Sequence, residues 1–420
     1  MLKKVDSSQL KVGMFIHDLD CGWMEHPFMR NRFLLSSEDE IQKIAAARIR
    51  GVVIDCGRGL DVDGAPGVDE VVDRIEAEVV ALADASAPAA PQSHPNPSVD
   101  LRAQRPVQAP LGTELQRAAA LRRQATELVR SVMQDARLGR VVETGEVAPV
   151  VRGITESILR NSGAMLSLLH IKNKDDYTFQ HSVSVCTLMV AFCRARGMDE
   201  ELTQQAGIGG LLHDIGKALV PDAILNKPGR LLDAEFEIVK RHPRDGYELL
   251  RRAPDIGPVP LDITLHHHER RDGSGYPERQ AQEEISELAQ MAAIVDVYDA
   301  ITSDRCYHKG MSPAEALRKL HEWSKHHFDP RLVQEFMRCV GIYPVGTLVL
   351  LESGRLGVVV EAHPTSLLTP RVNVFFHTRQ QAYIRPAAVD LSKGLDRIVR
   401  HEAHGAWNVD PQRFMVLAED

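Results

Sequence analysis

The chain has 420 residues, 44% apolar and 26% charged, with a formal charge of −8. That length supports two or three separate cores, and the acidic balance argues against a protein that grips a nucleic acid polymer by its phosphates. No apolar run approaches the ~18–20 residues that span a bilayer, and MLKKVDSSQLKVGMFI has no signal-type apolar stretch, so a cytoplasmic protein without membrane insertion is expected.

Residues 1–84 read as a small α+β domain. Strand-like segments cover Met14–Ile16, Arg32–Leu35 and Gly51–Asp55, and a helix is predicted over Ser37–Arg48, where Ile41, Ile44 and Ala45 recur at helical spacing. Residues 85–112 are rich in Pro, Ala and Ser with almost no large apolar side chains, which predicts a flexible linker. Helical periodicity dominates 113–340, and alternating β-type runs such as TLVLLESGRLGVVVEAH and RVNVFFHT predict a β-rich module over 341–420. The expected fold is therefore mainly α, a helical bundle flanked by two small strand-containing units. Six scattered cysteines (Cys21, Cys56, Cys186, Cys193, Cys306, Cys339) form no CxxC pair and read as reduced, buried thiols, none of them a ligand.

The helical stretch carries His181, His213, Asp214, His242, His267, His268 and Asp296. Imidazoles and carboxylates without thiolates suit hard or borderline divalent cations. Taken singly, most have blander readings. His213-Asp214 lies in GIGGLLHDIGK, read as a helix stopping at Gly216; the pair can present two ligands to one point, or the imidazole can satisfy orphan helix carbonyls. His181 follows Thr178, a candidate N-cap. His242 precedes a proline expected to end or kink its helix. Asp296, preceded by LAQMAAIV, needs a partner or cation to offset desolvation, with Asp299 on the same helical face as a hydrogen-bonding support. In the run from His266 to Glu269 at most two side chains can face one site if it is helical. His326, His327, His363, His377, His401 and His404 read as terminal or surface residues.

Together, HDIGK (213–217), HHERRDGSGYP (267–277), YTFQHS, ILNKPGRL, KRHP and DVYDAITSDR resemble the HD-GYP branch of the HD-domain phosphohydrolases. The region before them resembles an N-terminal domain of unknown function common in that family. The resemblance implies an all-helical catalytic bundle that hydrolyses cyclic di-GMP to pGpG and on to GMP through a hydroxide held between two metals, iron or manganese, with zinc, nickel or cobalt also accepted. It implies the seven residues above as metal ligands, with Asp214 bridging and catalytic, Lys217 catalytic and phosphate-binding, and Tyr276 and Arg305 binding substrate. His308 stands where many members carry a second basic residue, which implies weaker or more pH-dependent phosphate binding. Tyr177 stands where three-metal members carry glutamate, so two metals are expected. Candidate partners are a diguanylate cyclase (GGDEF), other signalling proteins and a second copy in a homodimer. The alternatives are hydrolysis of another nucleotide and a non-catalytic cyclic di-GMP receptor or scaffold.

Overall fold

The computed structural model describes residues 1–19, 32–47, 49–68, 70–71, 74–75, 77–78, 109, 111–170, 177–227, 229, 231–303, 310–363, 366–402 and 406–415. Two compact units emerge, one formed by Met1–Ala81 and Asp222–Val239, the other by Leu82–Pro221 and Lys240–Asp420. Most of the 85–112 linker, Arg305, His308, Cys21, Cys306 and His404 lie outside the described residues. No helix among the described residues is long and apolar enough to cross a membrane.

The first unit contains strands β1 (Leu2–Asp6), β2 (Phe15–Leu19), β3 (Phe33–Leu34) and β4 (Gly51–Asp55), with helix α1 (Glu38–Ala46). The sheet order is β1-β4-β2-β3, all antiparallel, with Leu2 opposite Asp55 and Asp6 opposite Gly51. Val5, Met14, Ile16, Leu35, Ile44, Val52 and Ile54 fill its core. Glu40 accepts the Ser36 and Ser37 backbone N–H groups at 2.6 and 3.3 Å, satisfying donors that the start of α1 leaves open.

The second unit is a helical bundle with a terminal sheet. Its helices are α2 (Leu111–Arg137), α3 (Val147–Ser167), α4 (Tyr177–Ala195), α5 (Glu200–Leu212), α8 (His242–Leu250), α9 (Pro258–His266), α10 (Glu287–Thr302), α11 (Pro313–Trp323) and α12 (Pro330–Val340); the short α6 (Asp222–Leu225) and α7 (Asp233–Val239) belong to the first unit. Apolar residues of α2 and α3 share one core with Val183, Val190, Ile208, Leu211 and Ile215. Asp199 caps α5 by accepting the Leu202 N–H at 2.7 Å, and Ser286 caps α10 through the Ala289 N–H at 3.1 Å. Strands β5 (Leu348–Leu351), β6 (Arg355–Glu361), β7 (Arg371–His377), β8 (Ala382–Asp390) and β9 (Ile398–Glu402) form an antiparallel sheet in the order β8-β7-β6-β5-β9. The observed class is mainly α with two small sheets, as the periodicity predicts.

Three local expectations change. Helix α5 ends at Leu212 rather than Gly216, and Ile215–Leu219 winds into a 3₁₀ turn, so His213 and Asp214 stand at a junction. Pro243 opens α8 instead of ending a helix, because its missing N–H costs nothing in a first turn. Thr178 lies inside α4, which already includes Tyr177. Of the described cysteines, Cys186 and Cys193 are buried as expected, and burial pushes the Cys193 thiol up to about 12, whereas Cys56 and Cys339 are only partly buried; all four are free thiols.

Candidate metal centre

Five elements of the bundle deliver the seven singled-out side chains to one buried place. The start of α4 supplies His181, the α5 junction His213 and Asp214, the α8 start His242, the end of α9 His267 and His268, and α10 Asp296; all seven are at most 9% exposed. They fall into two sets, Asp214 with His242, His267 and His268, and His181 with His213 and Asp296, and within each set the ligand atoms lie within 4.8 Å of one another.

Asp214 faces both sets. Its Oδ1 is 3.2 Å from His242 Nε2 and 3.8 Å from His267 Nε2, while Oδ2 is 3.4 Å from His213 Nε2 and 3.8 Å from His181 Nε2. His181 Nε2 also lies 2.9 Å from Asp296 Oδ1. Gly216 makes this approach possible, since a Cβ there would sit 2.0 Å from the His242 carbonyl oxygen.

The outward ring nitrogens are anchored. His181 Nδ1 pairs with Asp299 Oδ2 at 2.6 Å, His213 Nδ1 with the Gly210 carbonyl at 2.8 Å, and His267 Nδ1 with the Thr264 carbonyl at 3.0 Å. A proton on each Nδ1 leaves the Nε2 lone pair aimed inward, the arrangement that prepares histidine for metal. The two readings left open for His213 are thus compatible, since one nitrogen serves a helix carbonyl and the other faces the site.

Whether cations suit these residues is decided by what the inward atoms lack. His213 Nε2, His268 Nε2 and Asp214 Oδ1 are buried with no hydrogen-bond partner among the described residues, a costly state unless something else satisfies them. His242 Nε2 and His267 Nε2 face each other at 3.4 Å. Burial, then the neighbouring imidazoles, holds His267 and His268 well below the usual histidine range, which keeps their lone pairs unprotonated at neutral pH. Burial pushes Asp214 up, but His213 and Lys217 outweigh it and hold the carboxyl well below its ordinary value; His181 does the same for Asp296. Burial likewise opposes protonation of His213, and Asp214 overcomes it, raising that imidazole. The donor set fits two divalent cations of the hard or borderline kind.

Lys217 Nζ sits 2.5 Å from Asp214 Oδ2. Tyr276 stacks on His268, with ring centroids 4.7 Å apart at 26°. Tyr177 lies parallel to His181 at 5.9 Å and 8°. His266 turns away to Asp262, at 2.7 Å, so only two of the three consecutive histidines enter the site.

Two residues near the site were not legible beforehand. Glu269, 2% exposed, accepts the Glu278 N–H at 2.7 Å through Oε1 and so ties down the GYP loop; burial raises its carboxyl against the pull of the backbone N–H groups of residues 278–280. Lys240 places Nζ 6.0 Å from the Tyr276 ring centroid. A lysine two residues before a histidine carries no distinguishing signal, and a glutamate that grips backbone carries only its place in a motif.

Residues 2–147 match a domain of unknown function, DUF3391, and residues 168–332 match the HD domain. A cyclic di-GMP phosphodiesterase of Pseudomonas aeruginosa is 45% identical over 411 residues, covering 97% of this chain and 94% of that protein. The cyclic di-GMP phosphodiesterase response regulator RpfG of Xanthomonas campestris is 41% identical over 146 residues, 34% of this chain and 38% of its own. Among solved structures, the HDG"Y"P protein from Bdellovibrio bacteriovorus aligns with a TM-score of 0.44 and 14% identity over 80% of this chain and 98% of that one, a likeness too distant to build on. The chain belongs to the HD-GYP family of HD-domain phosphohydrolases, in the form that carries DUF3391 ahead of the HD domain.

Proposed function

We propose that this protein is a metal-dependent phosphodiesterase that hydrolyses cyclic di-GMP to linear pGpG and on to GMP. The observation that carries the reading is the convergence of His181, His213, Asp214, His242, His267, His268 and Asp296 into two adjoining buried ligand sets; the near full-length relative at 45% identity supports the substrate. His181, His213 and Asp296 would hold one cation and His242, His267 and His268 the other, with Asp214 turned to both. Iron or manganese suits the nitrogen and oxygen donors, and zinc, nickel or cobalt would also be accepted. Bound there, two divalent cations supply Lewis acidity and a nucleophile at neutral pH.

The chain's own groups then position and balance charge. Asp214 orients toward both ligand sets through its two oxygens. The Lys217 ammonium, held beside Oδ2, offers N–H donors to the non-bridging phosphate oxygens and a proton to the leaving oxygen. Tyr276, backed by His268, presents its ring and hydroxyl to the nucleotide. Arg305, carried over from the family motif, and His308, which stands where many members have a second basic residue, complete phosphate binding in this reading, more weakly or more pH-dependently than in those members. In this reading the protein acts in the cytoplasm, its candidate partners are a diguanylate cyclase (GGDEF), other signalling proteins or a second copy in a homodimer, and the 1–84 unit regulates rather than builds the site.

Metal analysis of anaerobically purified protein, with chromatographic identification of the products formed from cyclic di-GMP, tests the reading. Two metals per chain and pGpG or GMP are expected, and the H213A/D214A variant should lose both. Full turnover by that variant would overturn it.

A further inference from the structure

We infer that Glu269 is a positioning residue for substrate: its buried carboxylate fixes the return limb of the GYP loop and so holds Tyr276 where it meets the nucleotide. This role rests on the functional reading above, which it deepens. Glu269 directly follows His268 in the chain yet belongs to neither ligand set. At 2% exposure it lies beneath Glu278 and Arg279, which face solvent. A carboxyl buried that deeply needs donors around it.

Those donors are backbone groups just beyond Tyr276. Oε1 accepts the Glu278 N–H at 2.7 Å, and the Arg279 and Gln280 N–H groups act on the same carboxylate. Arg279 has a φ of 58°, in the left-handed region that residues other than glycine rarely adopt. A residue in that conformation turns successive N–H groups toward one point, a concavity suited to an anion. Glu269 is the anion, supplied by the chain itself, and its charge-assisted bonds offset the strain at Arg279. His266 grips the same limb a second time, accepting from Gln280 Nε2 at 3.2 Å while its Nδ1 faces Asp262 at 2.7 Å.

Tyr276 starts this limb and leans on the ligands. Its N–H donates to the His268 carbonyl at 3.2 Å, and its ring lies 4.7 Å from the His268 imidazole. Gly275, beside it, packs so closely that a Cβ would lie 2.5 Å from the Glu269 Cα. The neck of the loop closes without Glu269, through an antiparallel bridge between Asp272 and Ala281 and through the Gln282 N–H on the Arg271 carbonyl at 3.0 Å. Loss of the carboxylate therefore leaves the neck and the ligand histidines in place and frees the limb that carries Tyr276. Substrate binding should suffer, and metal binding and the chemical step should not.

A double-mutant cycle on the full-length, metal-loaded protein tests the assignment, with metal content measured beside steady-state kinetics on cyclic di-GMP. E269A should keep the wild-type metal content and raise KM about tenfold, with kcat held within about threefold. E269Q keeps an accepting oxygen without the charge, so its KM should rise only about threefold. Y276A should raise KM as E269A does, and the double variant should be no worse than the poorer single one to within about twofold, because one residue acts through the other. Multiplied losses in the double variant, an unchanged KM in E269A, or loss of its metal would overturn the assignment while leaving the functional reading intact. If E269A does not fold, the cycle is run with E269Q and judged by the same absence of added loss. If the wild type binds cyclic di-GMP without cutting it, the cycle is read on Kd. If the wild type neither cuts nor binds it, the functional reading fails and the positioning role with it.

Discussion

His181 and Asp299, 118 positions apart in the chain, meet through a 2.6 Å bond from the imidazole Nδ1 to the carboxylate Oδ2. The carboxylate fixes the tautomer that turns Nε2 toward Asp214 and Asp296. Removing such a support costs about 10–100-fold in metal affinity. D299A and D299N should both lose metal to a chelator in that range, read by elemental analysis after dialysis at graded chelator concentrations; full retention by both would show that the pair is only structural.

Lys217 makes a different prediction, because it touches Asp214 without belonging to either ligand set. K217M should keep its metal content and lose about 10²–10³ in kcat, the size expected when one preorganised charge is removed from a phosphoryl centre. Steady-state rates beside metal analysis check this, and a kcat within threefold of wild type would remove Lys217 from the chemistry.

How far the sequence led is clearest at the seven proposed ligands. Taken singly most of these imidazoles and carboxylates admit bland roles, and it was their order and family spacing that singled out the seven that the structure gathers in two sets. Their backbone setting was not legible. Whether a proline ends a helix or opens one, as Pro243 does, depends on what packs around it, and so does the 3₁₀ turn over Ile215–Leu219, in which Gly216 packs tightly against His242. Strands escaped for a related reason. Only Val5 of β1 is buried, and β8 is exposed along most of its length with Pro386 inside it, so neither shows the alternation that betrays a half-buried strand.

The Gly216 contact can be broken directly. G216A would bring a methyl group against the His242 carbonyl and the Gly246 nitrogen, which lie 2.0 and 2.6 Å from the ideal Cβ position. Backbone must move, so a loss of about 1–3 kcal/mol in stability is expected, together with weaker metal binding as His242 shifts. Urea unfolding and metal titration measure the two effects; wild-type values for both would contradict the close approach.

Glu114 on α2 links acidity to the stability of the bundle. It is fully buried and accepts from Ser157 Oγ at 2.8 Å and from Arg160 Nε at 2.9 Å, both on α3. Burial pushes its carboxyl up, yet Arg160 and Ser157 outweigh this and hold it below its ordinary value. With the folded value depressed, the stabilisation is fully present above the unfolded pKa of about 4.3 and fades as pH falls through the folded one. E114Q should cost about 1–3 kcal/mol at pH 7, and the gap to wild type should shrink below about pH 4. Unfolding curves across that window check it, and a gap independent of pH would be the contrary result.

The interleaving of α2 and α3 with the catalytic helices sets a practical limit. The recognised HD span begins at residue 168, yet Ala118, Val129, Val132, Val150 and Ile154 lie upstream and fill the same interior as Leu211 and Ile215. A fragment trimmed to that span would open this oily seam to water and invite aggregation. Ala109 is already stitched to the bundle, its N–H to the Arg160 carbonyl at 3.2 Å and its carbonyl to the Asn161 amide at 3.1 Å. The shortest piece that keeps the interior sealed therefore begins before that alanine.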